Sequence, residues 1–164
     1  MTYYALHPSP IGELLLAGEG RRLEILSMQD GNRPFEIDPT WVHDPEALAP
    51  AIEQLDEYFA GERTEFDLEL DAKGSEFQHR VWNALNEIPY GETTSYGSIS
   101  KQLELGAHGA RAVGVANGSN PIAVVVPCHR VIGADGSLTG YGGGLPNKRL
   151  LLDLESRVAG LTLI

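Results

Sequence analysis

A chain of 164 residues with 42% hydrophobic content can bury one good core or two small ones, and no segment approaches the ~18 continuous apolar residues of a membrane-spanning helix. The N-terminus has no charged start followed by an apolar signal core, so the sequence reads as a soluble, cytoplasmic protein, and its single cysteine excludes both an intramolecular disulfide and a cysteine-rich zinc site. The formal charge of -11 is uneven: residues 1–74 carry 5 Lys and Arg against 16 Asp and Glu, whereas residues 75–164 carry 7 against 7. That excludes a basic phosphate-binding surface over the whole molecule but lets the neutral half present Lys101, Arg111 and Arg130 on one face.

In chain order, apolar-rich runs at 3–7, 13–17 and 23–28 are separated by Pro8-Ser9-Pro10-Ile11-Gly12 and Gly18-Glu19-Gly20, which predicts an antiparallel meander. Asp44 can cap a helix with Pro45 at its first position. Leu48, Ile52, Leu55 and Phe59 then recur at helical spacing up to Gly61, and that helix should cover the sheet. Residues 62–74 are charged and end at Lys73-Gly74, a candidate linker in which Phe66, Leu68 and Leu70 alternate as in a further strand. This divides the chain into an acidic α/β domain over 1–74 and a second domain over 75–164.

From Ser75 the apolar period becomes helical. Ser75 can cap a helix carrying Phe77, Val81 and Leu85 on one face, with Trp82 and Ile88 beside them, until Pro89-Tyr90-Gly91 ends it. Thr94 or Ser95 starts a short helix through Leu103, a polar turn covers 105–108, and a second helix spans about 109–118. Helix, turn, helix is a geometry used to bind nucleic acid. The second helix, Ala110-Arg111-Ala112-Val113-Gly114-Val115-Ala116, holds one large polar side chain among small ones. A major-groove reader would carry several base-reading side chains, so by its residues alone this helix reads as one packed tightly into the core.

The run Ile122-Ala123-Val124-Val125-Val126 predicts a buried strand, and the lone thiol follows it in Pro127-Cys128-His129-Arg130-Val131-Ile132-Gly133. Free cysteine is often an inert core group, so inert and reactive thiols both remain open at this point. Lowering a thiol pKa from ~8.5 to about 5.5 requires roughly 4 kcal/mol of differential stabilisation, part of which His129 and Arg130 can supply. Alternate strand residues face opposite ways, so Cys128 and His129 can share a pocket only if the chain leaves strand geometry at Pro127.

Pro-Cys-His-Arg-Val-Ile, with Asn120-Pro121 before it and Gly140-Tyr141-Gly142-Gly143 after it, resembles the active-site region of the O6-alkylguanine-DNA alkyltransferases, the methylated-DNA–protein-cysteine methyltransferases. Phe77-Gln78, Val81-Trp82, Ala84-Leu85, Ile88-Pro89, Gly91, Thr93, Ser95-Tyr96 and Arg111-Ala112-Val113-Gly114 resemble that family in the same order. The likeness is dense over residues 75–155 and loose before them.

The resemblance implies an α+β fold with an N-terminal antiparallel sheet and covering helix, then a helical, winged-helix-like domain containing the helix-turn-helix. It implies direct reversal of O6-alkylguanine, and of O4-alkylthymine, in double-stranded DNA by irreversible transfer of the alkyl group to Cys128. By position, Glu155, His129 and a water form the relay that deprotonates Cys128, Asn120 braces the helix against the cysteine loop, and Tyr96 donates to the departing base. The helix of Ala110, Arg111 and Gly114, preceded by Thr94 and Ser95, enters the minor groove, and Arg111 fills the gap left by a flipped nucleotide. Arg130 is expected on the DNA-facing side. Backbone groups at Cys128, Val131, Tyr141 and Gly142 read the base edge, with Gly143 in the glycine-rich loop over 136–144 that lines the alkyl pocket.

No metal or cofactor is implied, the protein is expected to act as a monomer with cooperative loading on DNA as an option, and no membrane partner is expected. Two departures stand out: the turn at 104–109 lacks the family's usual proline and differs in length, and Asn117 stands where some relatives carry an apolar pocket residue. Two other classes are a non-catalytic lesion sensor, whose known relatives replace the cysteine, and a cysteine hydrolase, which would need an oxyanion hole that the sequence does not identify.

Overall fold

The turn residues between the first apolar runs close two tight hairpins, joining β1 (Tyr3–Ser9), β2 (Gly12–Glu19) and β3 (Arg22–Met28) into the expected antiparallel meander. Gly12 has φ +91°, and a side chain there would run into Asp30, whose carboxylate accepts the Glu13 N–H at 3.0 Å. The computed structural model describes residues 1–31 and 34–162.

The sheet is wider than the meander. Two-residue strands add in parallel at its edges, β4 (Val42–His43) beside β1 and β5 (Glu69–Leu70) beside β3, giving the order β4-β1-β2-β3-β5. Of the alternating Phe66, Leu68 and Leu70, only Leu70 lies in a strand. Leu14, Leu15, Leu16 and Ala17 on the central strand are all fully buried. A 3-10 turn (Pro45–Leu48), capped by the Asp44 carboxylate on the Glu46 N–H at 3.1 Å, leads into α1 (Ala49–Phe59), which buries Ala51, Leu55 and Tyr58.

Residues 122–126 do not form the strand that their apolar run predicts. Only Ile122 bridges Leu26, held by Leu26 N–H to the Pro121 carbonyl at 2.9 Å and Ala123 N–H to the Leu26 carbonyl at 3.0 Å. The chain then turns through Val124 at φ +68°, a left-handed conformation that a β-branched residue adopts at a cost of about 1–2 kcal/mol. One compact unit therefore comprises Met1–Lys73 together with Pro121–Ala123, a segment outside the contiguous 1–74 division read from the sequence; the other comprises Gly74–Asn120 and Val124–Ile164.

In the second unit, α2 (Glu76–Asn86) begins with a reciprocal cap: Gln78 N–H donates to Ser75 Oγ at 3.1 Å and Ser75 N–H to Gln78 Oε1 at 2.8 Å. Val81, Trp82, Ala84 and Leu85 face the core, and Trp82 Nε1–H donates to the Ala116 carbonyl at 2.9 Å, tying α2 to α4 (Gly109–Gly118). α3 (Tyr96–Gln102) is capped by Ser95, and the turn into α4 uses Glu104 at φ +57° and Gly106 at φ +80°. Gly109 packs so closely on Ser100 that any side chain would collide with its hydroxyl. α3 and α4 form the expected helix-turn-helix. A parallel pair, β6 (Thr94–Ser95) with β7 (Val131–Ile132), joins the start of α3 to the chain after the cysteine, and α5 (Leu145–Thr162) completes the unit.

Candidate active site around Cys128

The proline before the cysteine sets the site's backbone. Pro127, at φ -80° and ψ 63°, makes an inverse γ-turn closed by Cys128 N–H to the Val126 carbonyl at 2.8 Å. Cys128–Arg130 then form a single 3-10 turn, so the chain leaves strand geometry here and all three consecutive side chains are buried. Asn120 Nδ2–H donates to the Val126 carbonyl at 2.9 Å, and its amide also approaches the thiol. The end of α4 is thereby fastened to the cysteine turn.

Glu155 organises the charge. On α5, Lys148, Leu151 and Glu155 recur at helical spacing and all are buried, which places a lysine and a glutamate on an otherwise apolar face. Glu155 Oε2 accepts from His129 Nε2 at 2.7 Å, while Arg130 donates from Nε to Oε1 at 2.7 Å and from Nη2 to Oε2 at 3.1 Å. Arg130 Nη1–H donates to the Ile88 carbonyl at 2.7 Å, and its guanidinium lies 5.5 Å from the centre of the Tyr90 ring. Arg130 is thus not a cation on a nucleic-acid-facing surface; it is the buried counter-ion of Glu155.

The ionisation states follow from these partners. Burial alone would raise the Glu155 pKa, but the hydrogen bonds of His129 and Arg130, the charge of Arg130 and the charge that His129 gains in acid outweigh it and hold the carboxyl at about 2. Burial pushes the His129 pKa down, against the opposing pull of Glu155. With Arg130 already balancing the carboxylate, the ring is neutral: Nε2 carries the proton given to Glu155, and Nδ1 is a lone-pair acceptor with no partner among the described residues.

Cys128 differs from the sequence expectation. Burial raises its pKa above the ordinary thiol value; Asn120, the Lys148 charge and the Tyr141 hydroxyl only partly oppose that. His129 and Arg130 do not stabilise a resting thiolate, because one is neutral and the other is paired with Glu155. Cys128 rests as a thiol.

Val131 follows this turn directly, and the β6–β7 pair brings Thr94 and Ser95 alongside it. Thr94 pairs with Val131 and Ser95 with Ile132, which puts Tyr96 at the head of α3 with its hydroxyl 2.7 Å from Thr139 Oγ1. The Tyr141 hydroxyl is buried beside Cys128, and burial followed by the thiol's proximity raises its pKa well above the ordinary value. Gly143 is buried and its carbonyl accepts from Asn147 Nδ2 at 2.9 Å; Gly142 is exposed, with no atom within 4 Å of where a side chain would begin.

Ala110 and Arg111 lie on the exposed face of α4, whereas Gly114 is half-buried and faces the Tyr96 ring. Arg111 is exposed, makes no hydrogen bond or ion pair among the described residues, and shares its face with Val115, which is 71% exposed. Asn117, by contrast, points inward: its Nδ2–H reaches the Cys128 carbonyl at 3.5 Å and its Oδ1 is buried without a partner among the described residues.

Sequence reasoning missed Lys148 and Thr139. Lys148 is fully buried and its ammonium donates to the Val131 carbonyl at 2.6 Å and the Thr139 carbonyl at 3.4 Å. A charged residue on the apolar face of α5 was the available signal for Lys148; Thr139 falls in the loop over 136–144 read as pocket lining, but nothing in the sequence singled it out there. Among the described residues no group of three or more His, Cys, Asp or Glu could hold a metal ion, and no helix is long and apolar enough to cross a membrane.

Comparisons with known proteins agree over the whole chain. Residues 76–157 match the DNA binding domain of 6-O-methylguanine DNA methyltransferase, and residues 2–72 match its ribonuclease-like domain. A methylated-DNA–protein-cysteine methyltransferase of Mycolicibacterium paratuberculosis is 60% identical over 167 residues, covering 99% of each chain; one from Methanosarcina acetivorans is 52% identical over 153 residues, covering 93% of this chain and 97% of its own. The crystal structure of Mycobacterium tuberculosis O6-methylguanine methyltransferase superposes with TM-score 0.86 at 57% identity and 99% coverage of both chains. The same organism's OGT in complex with DNA gives 0.88 at 55% identity and 98% coverage of both. With both halves matched and identities above half over nearly the full length, the chain belongs to the 6-O-methylguanine DNA methyltransferase family.

Proposed function

We propose that this protein repairs O6-alkylguanine in double-stranded DNA by moving the alkyl group onto Cys128, once per molecule. The observation that carries this reading is the 2.7 Å bond between Glu155 and Nε2 of His129, the residue that follows the lone cysteine, with His129 Nδ1 buried and without a partner among the described residues. Through a bridging water His129 Nδ1 takes the Cys128 proton as the sulfur attacks, so the thiolate exists only during the reaction. The 2.7 Å bond to Glu155 strengthens as the ring becomes imidazolium.

Burial of the sulfur supports base flipping. An O6-alkyl group inside the stack cannot approach a thiol that is 6% exposed, so the nucleotide must leave the duplex, at a cost of a few kcal/mol that a weakened alkylguanine pair reduces. The outward face of α4, with small residues around unpaired Arg111, suits a helix laid in the minor groove with Arg111 inserted in the gap. Thr94 and Ser95 contact the backbone beside it. Tyr96 gives a proton to the departing base, Asn120 fixes the thiol's position, and the backbone at Val131, Tyr141 and Gly142 reads the base edge.

The open surroundings of Gly140 and Gly142 leave room for alkyl groups larger than methyl. The product is a thioether, which water does not hydrolyse, and the chain has no second cysteine to take the group. We take the protein to act as a monomer, and a lone thiol suits the reducing cytoplasm. Titration of a duplex bearing O6-methylguanine tests the reading: repair should plateau at one lesion per protein molecule, and repeated turnover at substrate excess would refute it.

A further inference from the structure

Two hydroxyls meet between α3 and the loop that follows β7. Tyr96 opens α3, Thr139 lies in the loop between β7 and α5, and their oxygens are 2.7 Å apart. Among the described residues Thr139 is the only hydrogen-bond partner of the Tyr96 hydroxyl. Thr139 is itself fixed from behind, because its carbonyl and that of Val131 both accept from the fully buried Lys148 ammonium, at 3.4 and 2.6 Å. Val131 in turn pairs with Thr94, two residues before Tyr96. The contact closes a ring running from Tyr96 through Thr139, Lys148 and Val131 back to the start of α3.

A direct bond between two half-buried hydroxyls adds little to folding, since either can bond water instead. Its geometry matters more for charge. A tyrosine that surrenders its proton leaves a phenolate, and a hydrogen bond to an ionised oxygen is roughly twice as strong as a neutral one.

We propose that Thr139 is a positioning residue for alkyl transfer: its hydroxyl donates to the Tyr96 oxygen, aims the Tyr96 O–H at the departing base and holds the charge that remains. This rests on the reading of Cys128 as the alkyl acceptor. In the step, the sulfur–carbon bond forms and the carbon–O6 bond breaks, its electron pair passing to the base. The Tyr96 O–H bond breaks and its proton goes to the base, leaving the phenolate bonded to Thr139. The thiol proton, taken up by His129, returns through solvent to Tyr96, so one alkylguanine and one thiol become one guanine and one thioether.

The test compares wild type, Thr139→Val, Thr139→Ser, Tyr96→Phe and Tyr96→Phe/Thr139→Val in single-turnover transfer from an O6-methylguanine duplex, alongside duplex binding and melting temperature. Thr139→Val should slow transfer about tenfold with binding and melting little changed, since the lost bond is to a developing charge. Thr139→Ser should restore the rate, and Thr139→Val should add no loss in the Tyr96→Phe background. A Thr139→Val rate at or above wild type overturns the inference. So does a loss that serine does not rescue, or one that persists without the Tyr96 hydroxyl, either of which marks a packing effect. Absence of transfer by the wild type would overturn the functional reading and this inference with it, whereas normal wild-type transfer with an unaffected Thr139→Val overturns the inference alone.

Discussion

Glu155 and His129 share a 2.7 Å hydrogen bond inside the protein, and the same carboxylate takes two more from Arg130. One acidic side chain thus fixes the tautomer of a neutral ring and satisfies a buried guanidinium. Glu155→Gln removes the charge that Arg130 requires while keeping the shape. Breaking a buried pair in this way is expected to destabilise by about 3–5 kcal/mol, measured by denaturant unfolding, and to slow alkyl transfer at least tenfold even where the variant remains folded.

The same pair sets the acid limit of stability. Glu155 has its folded pKa lowered from 4.5 to about 2, so it contributes stability above pH 4.5 that is lost as pH falls toward 2. His129 is also depressed below its ordinary 6.5, so unfolding takes up a proton there and its contribution too is lost as pH falls below that value. Urea unfolding across this range should show stability falling in two phases, one beginning near pH 6.5 and a steeper one below about 4.5; in His129→Gln the first phase should disappear.

Burial raises the Cys128 pKa above the ordinary thiol value. Iodoacetamide should therefore modify Cys128 of the free protein more slowly than it modifies an unfolded cysteine at pH 7.5, with the rate still rising beyond pH 9. A plateau near neutral pH would mean that a resting thiolate exists.

On the proposed reading, Arg111 acts only where a duplex is present. Arg111→Ala should slow transfer from double-stranded DNA by at least tenfold, a fraction of the few kcal/mol needed to hold a nucleotide out of the stack, while leaving the reaction with free O6-benzylguanine unchanged. Equal loss on both substrates would assign Arg111 to folding.

The chemistry at Cys128 was legible where it depended on local residues and poorly legible where it depended on distant ones. The helix caps at Ser75 and Asp44, the hairpin turns and the helix-turn-helix follow from side chains within a few residues, and the structure has them. Proline before Cys128 signalled the break that lets Cys128 and His129 turn inward together. Arg130 was misread because its partners, Glu155 and the Ile88 carbonyl, lie 25 and 42 residues away. Residues 122–126 have a strand's hydropathy without its hydrogen-bond partners, since only Ile122 reaches a neighbouring strand and Val124 reverses the chain. Lys148 and Thr139 escaped notice because their roles depend on backbone carbonyls and a hydroxyl brought near by the fold.

The central claim is that Cys128 itself accepts the alkyl group. Intact and peptide mass spectrometry after incubation with a duplex bearing O6-methylguanine tests it directly, with Cys128→Ser as the comparison. The account predicts a stoichiometric gain of one methylene, located on the peptide containing Cys128 and absent from the variant. Specific lesion binding with no mass gain would contradict it and identify a sensor; gain on any other residue would contradict the assignment of the acceptor.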